Sequence, residues 1–381
     1  MKSGTNNDDW SRAQKALANF VNRNLKAPPW ENRRVVIYGA GGFGKDLAKA
    51  LVKSKINVLG FLDQKGSGQS ICHDLRAHSL LSDVIGKWLR EDPLVVIGVF
   101  NSAVPLREIA VTLANLGFSD VITPMEAYPY LSDDLGWRFW MGRPQDYARI
   151  NDVVERASGL WADFESQQIF WRTLIFRLGF DLEVLRPPES VVHQYADPQL
   201  PRWREPLRLV DGGAYNGDTV QTLSEHGCKF AAIYAFEPDS ENFNSLKANA
   251  ASMRETQISL WPCGVGASTC KLRFSEGEST SSKLSESGSS IIPVVALDDV
   301  LHGQPVNLIK LDIEGAELDA LQGAHGLIEK YRPGLAVCLY HYPDHLWTIP
   351  SWVADLKLDY RLYCRTYAHN TFETVLYAIP N

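Results

Sequence analysis

The sequence predicts an α/β fold built as two Rossmann-like, doubly wound sheets in tandem, joined by a helical connector. Three observations carry this. Apolar β-like runs alternate with helical patterns in two separate stretches; each stretch opens on a strand, a glycine-rich turn and a helix; and an acid ends the next apolar run about 20 residues on. The chain has 381 residues, 45% hydrophobic and 22% charged, which is enough for two ordinary domains. The expected divisions are a helical extension over 1–30, a first α/β domain over 31–125, an aromatic-rich helical connector over 126–206 and a second α/β domain over 207–381.

Trp10, Ala13, Ala16, Leu17, Phe20 and Val21 recur at helical spacing, so a short amphipathic helix precedes the first sheet and Pro28 and Pro29 end it. Arg34 to Tyr38 is a β-rich run. The turn Gly39 to Gly44, a helical pattern to about Val52 and a strand from Ile56 to Leu62 complete a β-α-β unit. Leu94 to Val99 and Asp120 to Ile122 add strands on either side of a helix from Leu106 to Leu116. From Met125 to Leu207 the pattern turns helical and carries Trp137, Phe139, Trp140, Trp161, Phe164, Phe170, Trp171 and Phe176, aromatics expected to pack rather than to stack on a cofactor. Pro187, Pro188, Pro198, Pro201 and Pro206 mark a boundary.

The second series begins at Leu207 to Val210 and continues with strands at Ala231 to Phe236, Ile258 to Pro262, Lys271 to Phe274, Val306 to Leu311 and Gly334 to Leu339. Helices are expected at Thr219 to Glu225, Ser240 to Ala250, Ala316 to Leu327 and Ile349 to Leu358. Tyr360 to Cys364 and Thr374 to Tyr377 read as a terminal antiparallel pair, and the serine-rich stretch Ser275 to Ser290 as a surface loop.

Lys and Arg number 38 against 45 Asp and Glu, a formal charge of −7 without a dense basic stripe, so nucleic acid is not an expected partner. Cys72, Cys228, Cys263, Cys270, Cys338 and Cys364 form no Cys-x-x-Cys pair and no zinc spacing, which suits reduced thiols. The N-terminus lacks a signal-peptide pattern and no run approaches the length of a membrane span, so a cytoplasmic protein is expected. Homo-oligomerisation is left open.

Gly39-Ala40-Gly41-Gly42-Phe43-Gly44 is a complete G-x-G-x-x-G between strand and helix, with Asp63 ending the next strand. Gly39 permits the turn, Gly41 lets backbone approach a pyrophosphate, Gly44 allows close helix packing, and Asp63 is placed to accept from ribose hydroxyls. The residues equally suit a turn that binds nothing. Tyr38 to Gly44 followed by Gly60-Phe61-Leu62-Asp63 resembles the N-terminal domains of bacterial sugar-modifying enzymes, which implies a nucleotide, a nucleotide-sugar or NAD as ligand.

The second turn runs Leu209-Val210-Asp211-Gly212-Gly213-Ala214-Tyr215-Asn216-Gly217-Asp218-Thr219, with Phe236-Glu237-Pro238-Asp239 ending the next strand. A carboxylate there reaches vicinal hydroxyls beside the glycine turn. Acidic Asp211 inside the turn repels a diphosphate and favours a cationic linker such as the sulfonium of S-adenosylmethionine. With Val210-Asp211-Gly212-Gly213-Ala214, Phe236-Glu237-Pro238, Cys263-Gly264-Val265-Gly266, Leu297-Asp298-Asp299-Val300 and, most specifically, Ile309-Lys310-Leu311-Asp312-Ile313-Glu314-Gly315-Ala316-Glu317, the stretch from Leu207 to Ala378 resembles the FkbM family of S-adenosylmethionine-dependent methyltransferases. The resemblance implies a class I methyltransferase fold and methyl transfer to a hydroxyl of a saccharide or related metabolite. It implies Asp211 to Gly217, with Asp218 and Thr219, around the methionine part, Glu237 and Pro238 at the ribose, Cys263 and Gly264 at the adenine edge, and Asp312 facing the methyl group. Cys263 equally suits a small buried thiol.

A hydroxyl is a weak nucleophile, and a base or a metal would help it. His341, just after the strand Gly334 to Leu339, is the first candidate base, ahead of His345; as a polar loop residue it has an equally ordinary role. Asp312, Glu314 and Asp344 are candidate oxygen ligands for magnesium, although the same acids suit helix capping after Gly315. Trp347 and Trp352 are placed to line an acceptor site, with packing the alternative for Trp347, and Ser275 to Ser290 to close over it. Two other readings stay open: an NAD-dependent sugar oxidoreductase or epimerase working at Gly39 to Asp63, and a non-catalytic scaffold.

Overall fold

The computed structural model describes residues 4–147, 150–251, 256–275, 283–284 and 290–381. Two compact units emerge. The first comprises Met1–Asn151, Phe170–Pro188 and Ala368–Phe372, the second Asp152–Ile169, Glu189–Tyr367 and Glu373–Asn381.

In the first unit, β1 (Arg34–Tyr38), β2 (Asn57–Leu62), β3 (Ser70–Cys72), β4 (Leu75–His78), β5 (Leu94–Ile97) and β6 (Val121–Ile122) form a sheet in the order β3-β4-β2-β1-β5-β6. All pairings are parallel except that of β3 with β4. The apolar runs Val35–Tyr38 and Leu94–Ile97 are buried throughout, as a parallel sheet covered on both faces requires. The helix Gly42–Lys53 buries Gly44, Leu47, Ala48, Ala50 and Leu51 against it.

The stretch 126–206, expected as a separate connector, is instead shared out: 126–151 and 170–188 cluster with the first sheet, 152–169 and 189–206 with the second. Its aromatics explain part of this. Trp140 lies 5.3 Å from Phe100 and 5.8 Å from Phe176 between ring centroids, and Phe100 lies 5.0 Å from Phe372. Asn370 adds a polar staple, accepting from Leu106 N at 3.0 Å and donating to the Asn101 and Val104 carbonyls at 2.9 and 2.8 Å. The short segment Ala368–Phe372 is held by these contacts within the first unit.

In the second unit the strands are β7 (Leu207–Gly212), β8 (Phe230–Phe236), β9 (Gln257–Trp261), β10 (Gly264–Val265), β11 (Cys270–Ser275), β12 (Lys283–Leu284), β13 (Ser290–Val295), β14 (Leu308–Leu311), β15 (Gly334–Cys338), β16 (Tyr360–Thr366) and β17 (Thr374–Pro380). Among the described residues seven of them form a sheet ordered β16-β17-β15-β14-β7-β8-β9. Strands β9 to β15 of that order are parallel, and β17 and β16 add an antiparallel edge. The chain reverses strand order between β7 and β14, which is where ligands enter at the carboxyl ends of such sheets. A small sheet, β10-β13-β11-β12, stands beside it; of the serine-rich stretch, residues 276–282 and 285–289 lie outside the described ones.

The expected helix from Ala316 to Leu327 is two helices, Glu317–Gln322 and His325–Tyr331. They part at Gly323, where a Cβ would stand 2.1 Å from the Gly266 carbonyl oxygen, so the break goes with close backbone packing. Among the described residues no helix is long and apolar enough to cross a membrane.

Candidate active site

β7 and β14 lie side by side, and their register sets Lys310 opposite Asp211. Both side chains are buried, with the ammonium 3.1 Å from Asp211 Oδ1. Lys310 Nζ also donates to the Gly213 and Gly212 carbonyls, at 2.7 and 3.3 Å. Burial pushes the Asp211 carboxyl up to about 6 against the pull of Lys310. For Lys310, burial acts downward, but Asp211 and the more distant Asp312 and Asp218 hold the ammonium above its ordinary value. Lysine thus clamps the start of the glycine turn. Lys310 has no assigned role in the sequence reading, although a lone lysine inside the apolar run Leu308–Leu311 is itself a signal that a buried partner waits for it.

The turn is tight where the sequence predicts it. Gly213 has φ +72°, and a Cβ there would fall 1.9 Å from the Asp312 carbonyl oxygen; Gly217, at φ +93°, precedes the helix Asp218–Glu225. Gly213 N and Ala214 N both donate to the Phe236 carbonyl at 3.0 Å, and Thr219 N donates to Asp218 Oδ1 at 2.9 Å. Glu237, buried at the end of β8, accepts from Tyr215 N at 2.8 Å and Asp239 N at 2.9 Å. Burial raises its carboxyl, the two N–H donors opposing. Asp239, after Pro238, caps the helix Ser240–Ala250 by accepting from Glu241 N and Asn242 N. At the ends of β8 and β9 the Phe236 and Trp261 rings stack at 5.8 Å, and Cys263, its thiol pushed up to about 11 by burial, leads into Gly264 of β10.

Past β14 and β15 the residues converge on Asp312. Its carboxylate accepts from Tyr195 at 3.3 Å and Tyr340 at 3.2 Å, and Tyr340 also donates to Glu373 at 3.1 Å. Burial holds both phenols well above their ordinary value, so they remain O–H donors. Gln194 donates to the other Glu373 oxygen at 2.9 Å. His341 is wholly buried: Nδ1 lies 2.8 Å from Glu317 Oε1, and Nε2 lies 3.5 Å from Asp312 and 3.6 Å from Glu314. Glu317, equally buried, accepts from Ile313 N at 2.9 Å and Gly315 N at 3.3 Å, with His345 Nδ1 3.2 Å away. Burial would lower the His341 imidazolium, but Glu317, Glu314 and Asp312 carry it up to about 10. Glu317 is held far below the carboxylate range by both histidines in spite of burial. Glu314 is pushed up to about 8 and Glu373 to about 7, in both cases first by burial.

Two sequence expectations change here. His341 is no candidate base: it is enclosed, and a protonated imidazole ringed by carboxylates has no lone pair to offer. Nor do Asp312, Glu314 and Asp344 make a cage. Asp344 is exposed at the start of the helix His345–Asp355, and the described ligand atoms within 4.8 Å of one another belong to Asp312, Glu317 and His341, or to Asp312, Cys338 and Glu373. A nitrogen in one set and a thiol in the other do not fit magnesium, which takes oxygen. Trp347 is buried and packs. Tyr195, Tyr340, Glu317 and Glu373 escaped the sequence reading; only Glu317, the last residue of the most specific motif, left a trace in it.

In the first unit the turn is built alike. Gly39 has φ +105°, and a Cβ on Gly44 would fall 2.0 Å from the Gly39 carbonyl oxygen, whereas Gly41 faces open space. Asp63 Oδ2 accepts from Ala40 N at 2.9 Å and Oδ1 from Lys65 N at 2.8 Å, so its carboxylate ties the turn to the end of β2.

The second unit, with its ordered parallel strands, glycine turn and acids at the strand ends, has the make-up of a methyltransferase-like α/β fold. Residues 211–362 match the Methyltransferase FkbM domain, and through them the chain belongs to the FkbM methyltransferase family. It is 29% identical over 115 residues to the hexuronic acid methyltransferase AglP of Haloferax volcanii, a match covering 28% of this chain and 48% of that one. The chain thus spans about half the length of the curated relative it matches. The fold is similar to that of methyltransferase FkbM from Methylobacillus flagellatus KT, with a TM-score of 0.78 at 20% identity, covering 98% of this chain and all of the other.

Proposed function

We propose that the protein is an S-adenosylmethionine-dependent O-methyltransferase whose acceptor is a hydroxyl of a saccharide. The observation that carries this is the meeting, within the FkbM match, of the Asp211–Gly217 turn with Glu237 at the point where strand order reverses. The residues fit the donor. Each Glu237 oxygen takes one N–H, which leaves carboxylate lone pairs for vicinal ribose hydroxyls. The buried cations are already matched, Lys310 with Asp211 and His341 with Glu317, so Asp312, Glu314 and Glu373 leave the crevice acidic, which suits a cation.

In this reading Asp211, Gly212, Gly213, Ala214, Gly217, Asp218 and Thr219 surround the methionine part, Glu237 and Pro238 the ribose, and Cys263 and Gly264 the adenine edge, with Asp312 toward the methyl. When bound, the donor supplies an electrophilic methyl on a sulfonium; the chain's share is to align the acceptor oxygen with it and exclude water. The name of the Haloferax relative supports a sugar-like acceptor. Calorimetry with S-adenosylmethionine tests the reading. Binding is expected in the full chain and should fall by about tenfold to a hundredfold in Glu237→Ala, the range for a hydrogen bond to a charged group. No heat of binding in the wild type would overturn it.

A further inference from the structure

We propose that Asp312 takes the proton of the acceptor hydroxyl, and that Glu317, acting through His341, is the positioning residue that holds Asp312 for this. The proposal rests on the methyl-transfer reading above and is carried by the Glu317–His341–Asp312 line.

Access separates the two candidates for the proton. The His341 side chain has no exposed surface, while that of Asp312 keeps 26%. Direction separates them again. With Nδ1–H given to Glu317, Nε2 faces Asp312 and Glu314, and a bare lone pair there would point at carboxylate oxygens. A second proton on Nε2 turns that repulsion into attraction, so the ring is a donor at both ends. In a Ser-His-Asp triad the far nitrogen of the histidine meets a hydroxyl and can take its proton; here it meets acids.

Glu317 is the anchor of the arrangement. One carboxylate closes the turn that carries Asp312 and Glu314, through Ile313 N and Gly315 N, and holds His341 and His345 from the other side of the crevice. Glu314 at φ +55° and Gly315 at φ +105° show how sharply that turn is bent. The Tyr195 and Tyr340 hydroxyls fix the rotation of the Asp312 carboxylate. The groups facing His341 are therefore Asp312 and Glu314 from the turn, Glu317 from the next helix, His345 from the helix after β15, and Glu373 at the head of β17. In the step itself, the acceptor O–H proton passes to Asp312 as its oxygen bonds to the methyl carbon. The carbon–sulfur bond of the sulfonium breaks with its electron pair left on sulfur.

The test begins with the full chain carrying ¹⁵N-histidine. The His341 signal, assigned by its loss in His341→Asn, should show two protonated ring nitrogens at pH 8, and in Glu317→Gln it should titrate near neutrality. A His341 that is singly protonated at pH 8 in the wild type overturns the proposal. Turnover is then followed with radiolabelled S-adenosylmethionine on a panel of alkyl hexosides. Asp312→Asn is expected to lose about 10²-fold or more in kcat while keeping S-adenosylmethionine affinity, and Glu317→Gln to lower kcat with KM little changed. Asp312→Asn turning over within threefold of wild type also overturns it. Should Glu317→Gln fail to fold, the wild-type spectrum and Asp312→Asn decide. A wild type that shows the doubly protonated His341 but binds no S-adenosylmethionine sinks the methyl-transfer reading instead, so the two failures are distinguishable.

Discussion

Lys310 and Asp211 sit side by side on neighbouring strands with almost no exposed surface, so neither charge is affordable alone. Lys310→Met leaves a carboxylate in the core and strips the donor from the Gly213 carbonyl; by chemical denaturation it should lose about 3–5 kcal/mol. Adding Asp211→Asn should restore a large part of that, and a double variant no more stable than the single one would refute the pairing. The second buried pair works through pH. His341, raised to about 10, contributes stability that is complete below its ordinary 6.5 and lost as pH rises through 10. Glu317, held below its ordinary 4.5, contributes stability present above that value and lost only as pH falls beneath it. Glu314 and Glu373, raised to about 8 and 7, act in the direction of His341, because the folded state binds their protons more tightly. The melting temperature should therefore decline between pH 6.5 and 10, less steeply in Glu317→Gln; an identical slope in the two proteins would show that His341 is not held by Glu317. At this scale the sequence displays the acids and glycines, because turn geometry demands them at set spacings. It hides the partner of each charge, since Asp312 meets Tyr195, Tyr340 and His341 only through folding.

The two glycine turns are alike in outline and unequal in tolerance. In the first, Gly41 has φ −74° and nothing within 4 Å of a Cβ, so Gly41→Ala should change stability by no more than about 1 kcal/mol. Gly44→Ala drives a methyl into the Gly39 carbonyl, and Gly213→Ala combines a positive φ with a 1.9 Å approach to Asp312. Both should be markedly destabilised in thermal melts, and Gly213→Ala should also lose S-adenosylmethionine binding. If Gly213→Ala melts and binds like wild type, the turn has room that its geometry denies. The strands around these turns are legible because parallel strands buried on both faces are written as unbroken apolar runs. The expected Leu207, Ala231, Ile258, Val306 and Gly334 runs correspond to β7, β8, β9, β14 and β15. The short β3, β4, β10 and β13 leave no such run, and the break at Gly323 depends on a carbonyl 57 residues earlier, at Gly266.

At the scale of the whole chain, both units are discontinuous. A boundary placed at residue 207 follows the proline cluster and the start of β7, but the second unit also draws on 152–169 and 189–206, which the FkbM match over 211–362 does not include. Those segments complete groups that would otherwise be buried without partners. Asp163 pairs with Arg365 at 2.8 Å, and Ser166 accepts from Arg365 and from Cys364 N. Asp197 takes the Tyr367 hydroxyl at 2.9 Å, Tyr195 N donates to Tyr377, and Trp203 packs where a Cβ on Gly334 would fall 2.5 Å from its ring. Removing the partner of Arg365 alone costs about 3–5 kcal/mol, against a whole-domain stability of about 5–15 kcal/mol. The fragment 207–381 should therefore show neither a cooperative thermal transition nor native near-ultraviolet circular dichroism, while the full chain shows both. Were the fragment to melt cooperatively and bind S-adenosylmethionine as the full chain does, the preceding segments would be dispensable, and the buried Arg365 and Tyr377 groups would have to find other partners within the sheet.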